Sequence, residues 1–429
     1  MKMVEEDVVI VGAGIAGLAT GVALQRLGIR ALILEKSQGL RATGAALTLS
    51  PNAWFALDAL GVAQKLSSLY TPLKTGFVTD VGTGATQAVS YAATGATGFR
   101  AGPRPVHRKT LLEALADELP IGAIRFSSNI NAIETQSPDG SPIPIIHLSD
   151  GTVIKSKILI GCDGVHSVVA RSLGLGAPVD SGRSAVRGLA VFPDGHGLKQ
   201  EASQFLDVGI RAGFVPLNEK EAYWFLACKS SPKGEMMERD PELVQTEVLE
   251  NYAKDFPEIY KDMVRHSDLS TLTWAPLMFR YPWDIVFGYL RKGSITVAGD
   301  AMHPMTPDLG QGGCAALEDA VVLGRHIGNS LIKNGGLFLG AVAQDLDGYV
   351  QERKWRVSWI VVGSYFSGWI QQAGSNWWMK FLRAIFYKFL ITKIIRIADY
   401  DCGKLPKILD STRLDSITPL FVASDDCLI

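Results

Sequence analysis

Apolar and polar positions along this chain follow two rhythms, and the point where one gives way to the other sets the expected architecture. Val8 to Val11 is an apolar, β-branched run, Ile15 to Leu27 carries apolar residues at helical spacing, and Ala31 to Leu34 is apolar again. Strand, helix and strand in that order predict one βαβ unit. Past Pro51 a second helical pattern, Ala53 to Leu60, stops at Gly61, a residue type that closes helices in the left-handed conformation. From Thr71 to Gly102 Gly and Thr become frequent between short alternating runs, which suggests strands leaving the first lobe. Arg108 to Leu119 then reads as helix, and Ile158 to Ile160 as a buried strand ending at Gly161.

Between about Asp180 and Trp283 the texture changes to short alternating segments, Ala185 to Phe192, Gly213 to Leu217 and Ala222 to Cys228, with Pro and Gly between them. That predicts a mostly antiparallel sheet. The apolar strand texture returns at Ser294 to Ala298, followed by a loop and a long helix from Gly312 to Asn334. The first lobe is therefore expected to be discontinuous, with the sheet inserted into it. The expected divisions are 1–73, 103–179 and 284–355 for the first lobe, 74–102 and 180–283 for the sheet domain, and 356–429 for a C-terminal helical extension. No internal repeat or low-complexity tract stands out.

Composition narrows the function classes. A chain of 429 residues exceeds one ordinary small core, so two lobes are expected. Lys plus Arg (42) nearly cancel Asp plus Glu (43), which removes the electrostatic ground for a nucleic-acid partner. Cysteines stand at 162, 228, 314, 402 and 427, with no pair at metal-ligand or redox spacing. A reducing, cytoplasmic setting and no metal are the expectations. The start, MKMVEEDVVIVGAG, runs straight into a strand pattern, so no signal or transit peptide is expected. The ending DDCLI fits neither a prenylation box nor the peroxisomal tripeptide.

Three constellations carry chemistry. Gly12, Gly14 and Gly17 form GAGIAG between a strand and a helix, the arrangement that permits a tight turn, close backbone approach to a pyrophosphate, and helix-to-strand packing. Glu35 ends the next strand at the spacing needed to accept hydrogen bonds from a ribose, and its charge disfavours a phosphorylated one. The bound nucleotide is then the adenosine half of FAD or NAD. The second constellation, Cys162, Asp163 and Gly164, places a carboxylate and a close backbone contact at a strand end. The third is GDAMHPMTPDLGQGG from Gly299 to Gly313. There Asp300 is placed to bind a polyol hydroxyl, and backbone N–H groups at a glycine-rich helix start favour an anionic ring such as the edge of a reduced flavin.

In that order and at those separations, the three motifs resemble the class A FAD-dependent monooxygenases with the para-hydroxybenzoate hydroxylase fold, most closely the plant salicylate-hydroxylase-like branch. The resemblance runs from about Asp7 to Trp355. It implies an α/β fold: a Rossmann-type FAD-binding domain, an inserted mostly antiparallel substrate sheet, and the C-terminal helical extension. It assigns Gly12, Gly14, Gly17 and Glu35 to the ADP part, Arg108 and, more loosely, Arg41 to the cofactor, and Asp163 and Gly164 to FAD and nicotinamide contacts. Asp300 falls to the ribityl chain, Pro307 to the position beside the flavin, and Gly312 and Gly313 to the backbone cradle. Cys314 departs from the Asn of many relatives. The implied reaction uses NADPH or NADH as a visiting donor, which explains why no second GxGxxG is present. Dioxygen then forms a flavin C4a-hydroperoxide that hydroxylates a small, aromatic substrate. An oxidase, dehydrogenase or oxidative cyclase, and a non-catalytic flavin-binding protein, are the competing readings.

Arg211, Phe214, Tyr223 and Phe225 on the inserted sheet are candidates to line the substrate pocket. His303 reads as a satisfied loop histidine with no catalytic role, and Met302 and Met305 as packing residues. The stretch 377–397 (WWMKFLRAIFYKFLITKIIRI) is apolar but broken by cations too often to span a membrane. It reads as an amphipathic helix that packs on the protein or rests on a membrane surface.

Overall fold

The structure is a computed structural model that describes residues 2–40, 45–91, 96–136, 143–231, 240–371 and 397–407. Arg41, and the stretch 377–397 apart from Ile397, lie outside the described residues.

The strands in chain order are β1 (Lys2–Val11), β2 (Ala31–Leu34), β3 (Ala46–Leu49), β4 (Thr75–Asp80), β5 (Thr86–Ser90), β6 (Arg104–His107), β7 (Ile124–Arg125), β8 (Ile130–Gln136) and β9 (Ile143–Leu148). They continue with β10 (Thr152–Gly161), β11 (Val179–Val191), β12 (Ala202–Asp207), β13 (Ile210–Pro216), β14 (Glu221–Lys229), β15 (Thr273–Phe279), β16 (Arg291–Lys292) and β17 (Ile295–Val297). The α-helices are α1 (Ile15–Arg26), α2 (Pro51–Ala59), α3 (Ala63–Ser67), α4 (Arg108–Ala116), α5 (Val168–Ser172), α6 (Pro241–Glu247), α7 (Glu258–Arg265), α8 (Pro282–Phe287), α9 (Gly312–Asn334) and α10 (Leu339–Gln371).

The first sheet runs β16-β17-β10-β1-β2-β7, with β9 and β8 joined to β10. Its centre is parallel: Val8 to Val11 lies in register with Ile158 to Gly161 on one side and Ala31 to Leu34 on the other. Parallel strands covered on both faces need continuous apolar runs, and Val8, Val9, Ile10, Ile158, Leu159 and Ile160 are fully buried. Both glycine-rich turns leave this centre, one after β1 and the other after β17.

The second sheet, β15-β11-β14-β13-β12-β4-β5, is antiparallel except for the pair β12 and β4. One face is closed by α6 and α7, whose Val244, Tyr260 and Met263 pack with Phe214, Trp224 and Leu226 of the sheet. These helices were not anticipated, because the Pro- and Gly-broken texture of 180–283 gave no long helical period. A short ribbon, β3 with β6, forms a third sheet. The expected division at 355/356 falls inside α10, an unbroken helix of 33 residues. Its Arg353 and Arg356 both pair with Glu318 of α9, so the helix is anchored on each side of that division.

Candidate active site

The first glycine turn is built by close packing at two of its three glycines. Gly12 has φ +102°, and a Cβ there would stand 2.5 Å from the Cys162 carbonyl oxygen. A Cβ on Gly17 would stand 1.8 Å from the carbonyl oxygen of Gly12, so this glycine lets α1 close onto the turn. Gly14 differs: nothing lies within 4 Å of its Cβ position, and it sits at the open N-terminus of α1. Glu35 is buried at the end of β2, where its carboxylate accepts from the backbone N–H of Ala13 (2.8 Å) and Ser37 (2.9 Å). The acid is thus fastened to the turn itself.

Asp163 has a local task. Its two oxygens accept from Ser167 Oγ (2.5 Å) and the Val168 backbone N–H (2.6 Å), at the start of α5. Burial pushes its carboxyl above the usual range, against the pull of those hydrogen bonds. Gly164, at φ +81°, makes the turn between them. Asp163 thus caps the start of α5, while the Cys162 backbone forms the wall against which Gly12 packs.

The third motif folds beside the first. Ala16 of α1 lies 2.8 Å from the Cβ position of Gly299, and Leu47 and Ile15 lie 2.9 and 3.4 Å from that of Gly313. Gly313 is thus a packing position. Gly312 faces open space, with Asp300 Oδ1 and Met305 Cγ the nearest atoms at 3.9 Å. Asp300 keeps an exposed side chain although protein crowds it, as expected on the wall of a recess. Burial raises its carboxyl against the pull of His303, Arg108 and Arg187. Asp300 and Gly312 are neighbours on this wall. Pro307 is exposed on the same loop. Arg108 opens α4, its backbone N–H donating to Ala45 (3.0 Å).

Beneath the loop lies a buried ionic network. Asp319 accepts from His303 Nε2 (2.6 Å), Arg353 Nε (2.7 Å) and the Gly299 N–H (2.8 Å). Glu318 accepts from Asn52, Arg353 and Arg356. His303 is accordingly a structural partner of Asp319.

The inner face of the second sheet looks onto the recess. Tyr223 and Phe225, two apart on β14, stack at 6.4 Å between ring centroids. Arg187 of β11 lies opposite Phe225, and Leu189 opposite Tyr223. Burial raises the Tyr223 phenol, while Arg187 and Arg211 pull it down. Phe214 is on the other face, packed against Phe205 (6.1 Å) in the core under α6 and α7, and so does not line the recess. Arg211 lies 5.3 Å over Phe225 but is taken up by Gln204 Oε1 and by buried Asp308, which also binds Arg183. Sequence reasoning missed Arg187. The available signal was a single cation in the otherwise apolar stretch from Ala185 to Phe192.

The chain matches the family described as FAD binding domain over residues 5–363. It is 41% identical to Monooxygenase 2 of Arabidopsis thaliana over 408 residues, covering 93% of this chain and 98% of that protein. It is 37% identical to Monooxygenase 1 of the same organism, covering 94% of this chain and 100% of that protein. The crystal structure of Klebsiella pneumoniae HpxO complexed with FAD and uric acid shares the fold, with a TM-score of 0.77 at 23% identity over 92% of this chain and 96% of that one. The chain therefore belongs to the FAD-binding-domain family and is a FAD-dependent monooxygenase.

Proposed function

We propose that the recess between the two glycine turns and the inner sheet face holds FAD and presents a small, anionic aromatic compound to it for hydroxylation. One observation carries this reading: Gly14 opens one helix N-terminus onto space with no protein atom within 4 Å of its Cβ position, and Gly312 opens a second beside it, where only Asp300 Oδ1 and Met305 Cγ come within 4 Å. Backbone N–H groups at such ends carry partial positive charge suited to a pyrophosphate and to an electron-rich ring edge. The donor and acceptor set fits as well. Glu35, fastened beside the first turn, brings a carboxylate that can accept from ribose hydroxyls. Asp300 offers a carboxylate to a polyol, with Arg108 close enough to steady its charge.

When bound, FAD supplies electron storage and oxygen activation, with a nicotinamide cofactor as donor and dioxygen as oxygen source. The chain's own residues bind, orient and exclude water. Gly12 and Gly17 shape the turn, Asp163 fixes the segment behind it, and Pro307 with Gly312 borders the ring. Tyr223 and Phe225 supply apolar surface for an aromatic ring, and Arg187 supplies a cation for its negative group. Asp308 ties the Pro307 loop to the sheet through Arg183 and Arg211, holding the two walls together.

Gly14→Val tests the cofactor placement. Nothing lies within 4 Å of the Cβ position there, so in a folded variant any loss reports on the ligand. Losing one hydrogen bond to a charged group is worth about 1.5–3 kcal/mol, so FAD affinity is expected to fall roughly tenfold to a hundredfold. Flavin fluorescence titration measures it. A folded variant with parental affinity would remove the pyrophosphate from this turn.

A further inference from the structure

The tryptophans of this chain divide sharply. Among the described residues, Trp54, Trp224 and Trp274 are buried, whereas Trp283, Trp355, Trp359 and Trp369 are 49–65% exposed. Trp355, Trp359, Phe366 and Trp369 recur at steps of four, seven and three, which places them along one side of α10. The helix rests on the cofactor loop through its flank and its far side: Leu309 lies 3.1 Å from the Cβ position of Gly363, and Asp308 crowds that of Gly368. The aromatic surface continues off the helix. Phe366, Tyr365, Phe279, Tyr281 and Trp283 follow one another at ring separations of 6.4, 5.1, 5.2 and 4.3 Å, with Phe279 buried beneath the others. Phe287 (81%) and Tyr289 (74%) project beyond them. Exposed apolar surface this extensive marks an interaction face.

The charge of this segment selects the occupant. From residue 355 to 398 the sequence holds six Lys and Arg and no Asp or Glu; Arg356 is held by Glu318, and the other five fall in 372–396, outside the described residues. Lys292 and Lys354, next to this face in sequence, have no acidic partner among the described residues. Asp284, the single acid between residues 281 and 292, lies near Arg280. A second copy would set like charges against each other across a two-fold axis, and the equally cationic stretch 372–396 would do the same. Tryptophan and tyrosine rings with nearby cations suit the boundary between headgroups and acyl chains.

We propose that this aromatic face docks on an anionic lipid surface, placing the recess behind α10 next to the membrane.

Sedimentation of the full-length, FAD-loaded protein with phosphatidylcholine vesicles, with and without phosphatidylserine, tests this. Binding is expected with phosphatidylserine and is expected to weaken with salt. The double variant Trp355→Ser/Trp359→Ser should lose roughly tenfold or more of that partitioning, and Trp283→Ser on the neighbouring segment should shift it in the same direction. NADPH consumption in solution should stay at the parent level in all of them. Absence of parental vesicle binding would overturn the proposal, as would binding unchanged in both variants. A parent dimer that the double variant converts to monomer, with no vesicle binding, would assign the face to a second copy instead.

Discussion

At the scale of single residues, the recess sorts its arginines by what they already hold. Arg183 and Arg211 are engaged by Asp308, and Arg280 donates to the carbonyls of Ala301 and Met302. Arg187 has no hydrogen-bond or ion-pair partner among the described residues, yet it is half-buried beside Tyr223 and Asp300. A half-buried guanidinium that forms no ion pair gains most from a ligand that completes one. Arg187→Gln is therefore expected to raise KM for a carboxylate- or phenolate-bearing aromatic substrate roughly tenfold to a hundredfold, with a smaller effect on a neutral analogue. Steady-state NADPH consumption measures both, and an equal rise for the two compounds would deny Arg187 a charge-reading role. Arg187 and Phe214 were misjudged for the same physical reason. Both faces of the second sheet are covered, one by α6 and α7 and the other by the recess, so apolar residues occupy both parities and alternation does not tell inside from outside. Gly12 and Gly17 were legible because each needs a conformation or a clearance that a side chain forbids, and Gly14 and Gly312 because they stand in the same motifs at helix starts.

Among the elements, α9 does two jobs with one sequence. Its first turn opens onto the recess at Gly312, and its next turns carry Glu318 and Asp319 into the buried network with Arg353 and Arg356 of α10. Removing one partner of such a network strands the others, which costs about 3–5 kcal/mol. Arg353→Met should accordingly lower the midpoint of urea unfolding sharply, whereas an unchanged midpoint would mean that the network adds little. Burial pushes Asp319 upward, but His303, Arg353 and their hydrogen bonds overcome it and hold the carboxyl at about 2, below its ordinary 3.8. A depressed folded value means the stabilisation is complete above pH 3.8 and is lost as pH falls toward 2. The stability gap between the parent and Asp319→Asn should therefore be widest near neutrality and shrink through that window, as followed by thermal unfolding at each pH. A gap that stays constant to pH 2 would place the charge of Asp319 outside the network. The sequence marked α9 clearly, by its length and the preceding glycines. It did not reveal that α10 continues past residue 355, because exposed tryptophans on its outer side blur the apolar period that would have traced it.

For the whole molecule, the parallel sheet brings three distant glycine-bearing segments to one edge, and the antiparallel sheet sets its inner face over them. The order β17-β10-β1-β2 explains why motifs near residues 12, 163 and 300 belong together: each follows one of three adjacent strands. That much was readable from strand texture and motif spacing. The insertion that completes the recess was readable only as a change of texture, since its packing partners lie far away in sequence. The account's central claim is that this recess joins an oxygen atom from dioxygen to an organic substrate at the expense of a nicotinamide cofactor. The most direct measurement is mass spectrometry of the product formed under ¹⁸O-labelled dioxygen, with a turnover substrate selected by NADPH consumption from a panel of phenolic acids. The account predicts a product heavier by one labelled oxygen atom, in proportion to the nicotinamide oxidised. A product carrying oxygen only from water, or a dehydrogenated product with all the label in hydrogen peroxide, would contradict it.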